Sequence, residues 1–451
     1  MRTQVILWVL CAGIVFSPIL KIGVYLRYDQ LFFLALIIIA LSKILLKGCI
    51  STVIYNILTP WILFILAYIT LGLVSSFLGS LNLYNILNFP LKVMLSVLMA
   101  GVILFFCGID KDLSQSFNEK MFIVASIAAL IGILQFLEHT GTIPFSIIRN
   151  ITSELFPYRG ILTDAELIKT GGYYLKMGGA GRITGTFDGQ PILFGDFLAT
   201  ILVVSLHKVQ KPSTAVAWLV LLLALILTQS RGSWLGAIVG IGWYLTALLR
   251  TQLSKRRRIL SPSLTRKKGF AVVVGLLLLF SIIVYVSPIH TVVATRIEST
   301  LSTLSGAGLE EARFSDRWPS AIQYLFDKGL LGLLLGSAGL YDKATDSMYL
   351  WLLVNIGLLG AFVFLAFHIL LFHHLSQPND NSSPWSMGWR AAIVGNMVTY
   401  IFHPTWQGDR WLTYFVVGVI LTTASTVRAK YLLEKTKKTK VVYGAVLRHG
   451  K

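Results

Sequence analysis

Acidic residues are scarce in this chain. Asp and Glu number 20 against 39 Lys and Arg, and charged residues of either sign make up only 13% of 451 positions. Soluble domains carry about 25% charged residues, so the composition excludes an ordinary soluble fold. Cysteine is almost absent. Cys11, Cys49 and Cys107 lie in or beside apolar segments, and none is spaced as a metal site or a disulfide pair. There is no Walker loop, no HExxH, no serine-centred elbow and no Cys/His cluster. Nucleotide-driven and zinc chemistry are therefore disfavoured. Internal repeats are missing too, and the only low-complexity segments are basic runs.

What is present is apolar. Hydrophobic residues make up 55% of the chain and the mean hydropathy is +0.74. Spans are expected near 5–25, 31–47, 52–78, 91–108, 120–138, 191–207, 213–229, 232–249, 270–288, 349–374, 387–403 and 411–427. The N-terminus has one arginine, an apolar run and no clear small-residue cleavage site, so it reads as a retained first helix. The expected fold is all-α: a polytopic membrane protein of about twelve transmembrane helices with a helical extracytoplasmic loop domain.

The net charge of +19 is a topology signal before it is a nucleic-acid signal. Residues 250–269 carry eight Lys/Arg and no acid, and the tail from 428 carries eight against Glu434. Both fall on one side of a twelve-span chain, and the positive-inside rule makes that side cytoplasmic. The expected organisation is N-terminal helices over 1–138 and a first extracytoplasmic loop over 139–190. Central helices over 191–288 enclose the basic loop 250–269. A large extracytoplasmic loop, 289–348, precedes C-terminal helices over 349–427 and a basic cytoplasmic tail, 428–451. Loops this long are usually functional.

Arg231 stands out. It is the one formal charge between Ala215 and Leu249, a run too long for a single span of about 20 residues. Two helices joined by a tight turn at Gln229–Ser233 would set the guanidinium at a membrane–water boundary, ready to hold an anion. A snorkelling arginine at a helix end is the plainer alternative. On the same face lie Arg182, ahead of a helix beginning near Pro191, and Arg296, Arg313 and Arg317 of the large loop. Arg317 opens an amphipathic stretch expected at the membrane interface. Asp346 stands at the outer start of the tenth span, and His403 and Arg410 bracket the short outer turn HPTWQGDRW.

Several arginines, a carboxylate and a histidine thus converge from distant parts of the chain. Arginine suits a phosphate because its fork donates bidentate bonds. Each residue also has a structural alternative. Arg182 would pair with Asp188, Asp346 would be a helix N-cap, His403 a satisfied interfacial histidine, and Arg410 a partner of Asp409. Trp406, Trp411 and Tyr414 read as an interfacial aromatic belt.

The motifs GRITGTF, SRGSWLG, RWPSAIQYLFDKGLLG with its following GSAGL, and DSMYLWLLVNIGLLG come in this order in the chain. In that order they resemble the O-antigen ligase and polymerase superfamily, over roughly 180–360. The resemblance implies a membrane glycosyltransferase of the bacterial cytoplasmic (inner) membrane. It would take a glycan from undecaprenyl diphosphate on the extracytoplasmic face, with no cofactor and no metal. Arg182, Arg231 and Arg317 would bind the diphosphate, with Arg313 and Arg410 as secondary candidates. The expected partners are the lipid-linked glycan, membrane lipids and a chain-length regulator; nucleic acid is not expected.

Ligases of this superfamily carry a histidine, usually followed by asparagine, where this chain has Thr345-Asp346-Ser347. That difference favours a polymerase of the O-antigen or capsule type. Asp346 is then the expected general base, with His403 as the second catalytic candidate. The alternatives are a ligase that moves the glycan to lipid A core and, from another class, a lipid-linked glycan flippase. A transporter should show repeats and ionisable residues near the midplane.

Overall fold

A computed structural model of the protein describes residues 2–22, 24–47, 52–76, 83–109, 111–144, 147–155, 182–187, 190–256, 318–337, 347–376, 383–403, 406 and 409–428. Apart from one small hairpin, the regular structure among them is helical. The N-terminal helices are α1 (Arg2–Phe16), α2 (Tyr28–Lys47), α3 (Thr52–Ser76), α4 (Leu83–Cys107), α5 (Lys111–His139) and the short α6 (Ile147–Leu155). The central helices are α7 (Pro191–Val204), α8 (Pro212–Leu227) and α9 (Arg231–Arg256), with a 3₁₀ turn, Leu206–Gln210, between the first two. Then come α10 (Trp318–Asp327), α11 (Gly329–Leu335), α12 (Met348–His374), α13 (Pro384–Thr399) and α14 (Asp409–Arg428).

Six of these are long and apolar enough to cross a membrane: Val53–Ser76, Leu87–Cys107, Asp112–Glu138, Arg231–Thr251, Met348–His374 and Asp409–Arg428. The protein is a helical membrane protein. From residue 31 on, each apolar segment expected from the sequence coincides with a helix, except 270–288, which lies outside the described residues.

The first expected span, 5–25, needs correction. Helix α1 stops at Phe16, and an antiparallel hairpin follows, Ile19–Ile22 against Val24–Arg27, pairing Ile19 with Arg27. Two local facts explain the stop. Pro18 cannot extend the helical bonding. The carbonyls that end α1 are already taken: Arg410 donates from Nη1 to Ile14 O (3.1 Å) and Val15 O (3.0 Å), and from Nη2 to Ser17 O (2.8 Å).

The centre of the fold is α7, α9 and α13, held at very short range by small residues. On α9, Gly232, Gly236 and Gly240 recur every fourth position, which puts them on one face. A Cβ on Gly236 would lie 2.0 Å from Thr399 Oγ1, and one on Gly240 would lie 3.1 Å from Ala391 O. From α13, a Cβ on Gly395 would lie 2.4 Å from Gly236 O, and one on Gly388 would lie 2.5 Å from Val204 O. Helices in lipid associate through such close backbone approach, since hydrophobic burial does not favour one helix over a lipid tail.

Helix α12 is broken at Gly357, whose φ is +66°. The carbonyls freed by the break are claimed from outside: Ser337 donates to Val354 O from both its backbone N (2.8 Å) and its Oγ (2.9 Å), and Ser75 Oγ donates to Asn355 O (3.2 Å). In an apolar surround an unclaimed carbonyl costs several kcal/mol, so a break persists only where protein supplies donors. The α10–α11 pair docks here. Ala321 and Leu325 are buried beside Val354, while Phe326, Leu330 and Leu331 present an apolar outer face.

The expected aromatic belt is also corrected. Trp406, Trp411 and Tyr414 are fully buried. Trp411 stacks on Phe415 at 5.1 Å, and Trp406 lies edge-on to Phe364 at 5.1 Å. The indole N–H groups find internal acceptors, Tyr400 Oη (2.8 Å) for Trp406 and Thr200 Oγ1 (3.1 Å) for Trp411, so the rings serve the core.

Candidate functional site

The turn between α8 and α9 organises the site. Helix α8 ends at Leu227, Thr228 and Gln229 turn, and α9 starts at Arg231. Gln229 adopts the left-handed conformation, φ +52°, which sharpens the reversal. Ser230 and Ser233 share a hydrogen bond between their Oγ atoms (2.6 Å) in the first turn of α9. Arg231 is half-buried at a helix N-terminus, where the helix dipole favours an anion.

Residues 182–187 lie across this turn. Arg182, half-buried, donates from Nε to Thr228 O (2.9 Å), and Ile183 N donates to Leu227 O (3.3 Å). From the other side Gln135 on α5 clamps the same segment. Its Oε1 accepts from Thr184 N (3.3 Å) and Gly185 N (3.0 Å), and its Nε2 donates to Gly185 O (3.0 Å). Thr186 sits here fully buried, its hydroxyl without a hydrogen-bond partner among the described residues. Arg182 and Arg231, distant in sequence, are thus attached to one turn. Asp188, an alternative partner for Arg182, lies outside the described residues.

Beneath the turn is a group that the sequence reading missed. Asp196, in the middle of α7, is completely buried. Its Oδ1 accepts from Ser233 Oγ (2.5 Å) and lies 3.1 Å from His403 Nδ1. A carboxylate only accepts, so the nitrogen of His403 facing it is the one that carries the proton. Glycines let the three segments meet. A Cβ on Gly195 would come 2.8 Å from Ser233 Oγ, and one on Gly232 would come 2.9 Å from His403 Nε2. Burying a carboxylate in apolar surroundings is costly unless charge and hydrogen bonds compensate. Here a serine, an imidazole and the first turn of α9 do so.

His403 is held from behind as well. Its backbone N donates to Thr399 O (3.0 Å), and the preceding Tyr400 carbonyl accepts from Met348 N (2.8 Å) and Ser347 Oγ (3.4 Å). The start of α12 is thereby brought to the turn that carries His403. Ser347 is also the N-cap of α12, accepting from Leu350 N at 3.4 Å. The cap position is filled by Ser347, which corrects the reading of Asp346 as the cap.

Asp346, Arg313 and Arg317 lie outside the described residues. Arg410 is buried, with its guanidinium committed to the end of α1, and Asp409 pairs with Lys92 at 3.0 Å. Among the described residues no group of three or more His, Cys, Asp or Glu gathers as a metal site would. No protein-family model and no curated protein matches the chain.

Proposed function

We propose that this protein is a membrane glycosyltransferase, a polysaccharide polymerase of the O-antigen or capsule type. It would work in the bacterial cytoplasmic membrane with its active site on the extracytoplasmic face. It transfers a growing glycan from undecaprenyl diphosphate to a sugar hydroxyl on an incoming lipid-linked repeat unit, without a metal. The observation that carries this reading is the gathering of Arg182 and Arg231 on one turn, above a buried carboxylate–imidazole pair.

In this reading the two guanidiniums and the N-terminus of α9 hold the diphosphate and take up the charge that develops as it leaves. Arg317 completes the diphosphate site, with Arg313 as a secondary contact. The acceptor hydroxyl gives its proton to Asp346 or to His403. A chain-length regulator is a further partner.

Elongation of lipid-linked repeat units by the purified protein in proteoliposomes tests the reading. Arg231→Ala should lower the rate on the order of 10²–10³-fold, the usual loss when a donor to developing negative charge is removed. Arg182→Ala should act in the same direction. Full activity in Arg231→Lys would replace the bidentate role by a point charge. Full activity in both alanine variants would remove the diphosphate site. Passage of lipid-linked glycan across the bilayer without elongation would make the protein a flippase. For the membrane sidedness, cysteines introduced within 255–268 should resist impermeant thiol reagents in intact cells, and ready labelling would reverse the topology.

A further inference from the structure

We propose that Arg390 on α13, seated between Trp243 on α9 and Phe372 on α12, holds the headgroup phosphate of an anionic phospholipid. The inference is independent of the glycosyl-transfer reading. The place is also distinct from the turn at Arg231, because Trp243 stands about 18 Å further along α9 at 1.5 Å per residue.

Arg390 brings three helices to one point. Its Cζ lies 4.4 Å from the ring centroid of Phe372 and 5.2 Å from that of Trp243, and the two rings meet edge to face at 5.5 Å. The rings offer the cation their electron-rich faces but no conventional acceptor for its N–H groups. Among the described residues Arg390 makes no ion pair, and its Nε is buried without a hydrogen-bond partner. A guanidinium stays charged and carries five donors in a rigid fork. Stacking on two rings offsets only part of the cost of drawing that charge out of water. A half-buried fork with unmet donors is made for an anion with several oxygens, and phosphate matches its geometry.

The surroundings say which phosphate. Trp243 shares a face of α9 with Leu235 and Val239 towards Arg231, and with Thr246 and Arg250 in the other direction. Phe372 shares a face of α12 with Phe362 and Ile369. Leu235, Phe362 and Ile369 are exposed, so an apolar outer surface runs along both helices up to the level of Arg390. Beyond that level come the exposed Arg250 and His373, and α9 leads into the basic run 250–269. Apolar faces on one side of a guanidinium and cationic residues on the other match a phospholipid, with its acyl chains along the helices and its phosphate at Arg390. A free phosphate ion would leave the apolar half without a role. A zwitterionic headgroup would bring a second cation to a place already positive. Basic pockets between helices at a membrane boundary favour anionic headgroups for this reason.

The test uses the purified full chain in detergent, with phosphatidylglycerol and phosphatidylcholine of the same acyl chains as probes. Native mass spectrometry counts bound lipid, and a lipid titration of the melting temperature gives the dissociation constant. Wild type should bind phosphatidylglycerol at least about tenfold more tightly than phosphatidylcholine. Arg390→Gln should weaken phosphatidylglycerol binding at least about tenfold, the loss of a charge-assisted bidentate pair. Arg390→Lys keeps a charge without the fork and should fall between wild type and Arg390→Gln. It decides the matter if the glutamine variant does not fold. Arg250→Ala removes a charge from the exposed end of α9 and should stay within about twofold of wild type. Phosphatidylglycerol affinity unchanged in the folded Arg390 variants would overturn the site and leave Arg390 a packing residue. An equal loss in Arg250→Ala would overturn it in favour of a diffuse basic surface. Equal affinity for phosphatidylcholine would reduce it to acyl-chain contact. Displacement of the lipid by millimolar inorganic phosphate would make it a site for a soluble anion.

Discussion

A β carbon on Gly357 would stand 2.2 Å from the carbonyl oxygen of Leu334, so the break in α12 and the end of α11 meet backbone to backbone. No rotamer change can relieve such a contact. The φ of +66° adds strain for any side chain. Gly357→Ala should therefore lower stability by at least about 2 kcal/mol, read as a clear fall in the melting temperature of the purified protein. Gly242 is the internal control. It lies in α9 with open space where a Cβ would go, and its replacement by Ala should be neutral or stabilising by up to about 1 kcal/mol. Equal melting temperatures for the two variants would contradict the docking of α11 into α12.

Gly232→Ala should leave Arg231 in place and push His403 aside, because the added carbon would come 2.7 Å from Cε1 and 2.9 Å from Nε2 of the ring. A displacement near 1 Å costs roughly 10²-fold in a positioned reaction. Initial rates of elongation are the measurement, with undecaprenyl diphosphate binding as the reference. An unchanged rate would mean that the ring position does not matter.

Arg410 should behave as a structural residue. Hydrogen bonds from a charged donor contribute roughly 1.5–3 kcal/mol each, and Arg410 makes three to the end of α1. Arg410→Lys keeps the charge and cannot reach all three carbonyls, so thermal unfolding should move down while binding of undecaprenyl diphosphate by the folded fraction persists. Normal melting with weakened binding would return Arg410 to the diphosphate site.

His207 gives a pH prediction. It lies in the 3₁₀ turn between α7 and α8, edge-on to Trp385 at 4.2 Å. Burial, reinforced by the charge of Lys208, lowers its pKa from the usual 6.5 to about 4. An unfolded chain therefore takes up a proton below pH 6.5 that the folded chain refuses until about pH 4. This residue costs no stability at neutral pH and progressively more from 6.5 down to 4, up to roughly 3 kcal/mol at about 1.36 kcal/mol per pH unit. His207→Phe should flatten the fall in melting temperature across that window. Parallel curves for both proteins would show that His207 does not titrate with folding.

Much of this fold is written in hydrophobic runs, and the helix positions follow from them. The turn at Arg231 was legible for the same reason, since a charge and two serines interrupt an apolar stretch too long for one helix. Asp196 carries the same signal, a charge inside an apolar stretch, but PILFGDFLAT also reads as the start of a helix, where an aspartate is ordinary. The hairpin at 19–27 was only half legible: Pro18 marks the stop of α1 in the sequence, but the guanidinium that takes the last carbonyls comes from Arg410, far along the chain. The aromatic residues of 406–415 misled for a related reason. Composition places tryptophan equally well at an interface or in a core, and only the internal acceptors for their N–H groups separate the two. The spacing of Gly232, Gly236 and Gly240 was the clearest packing signal in the chain, though its partner on α13 could not be read from sequence.

The short helices beside the site bear on the bilayer itself. At 1.5 Å per residue, the 14 residues of α7 reach about 21 Å and the 16 of α8 about 24 Å, against a hydrocarbon layer about 30 Å thick. Twelve of the 14 residues of α7 are buried, so protein surrounds it and lipid cannot thin to meet it. Where the proposed carrier is the ligand, bilayer thickness becomes a variable of its capture, and acyl-chain length in the host membrane is the quantity to vary.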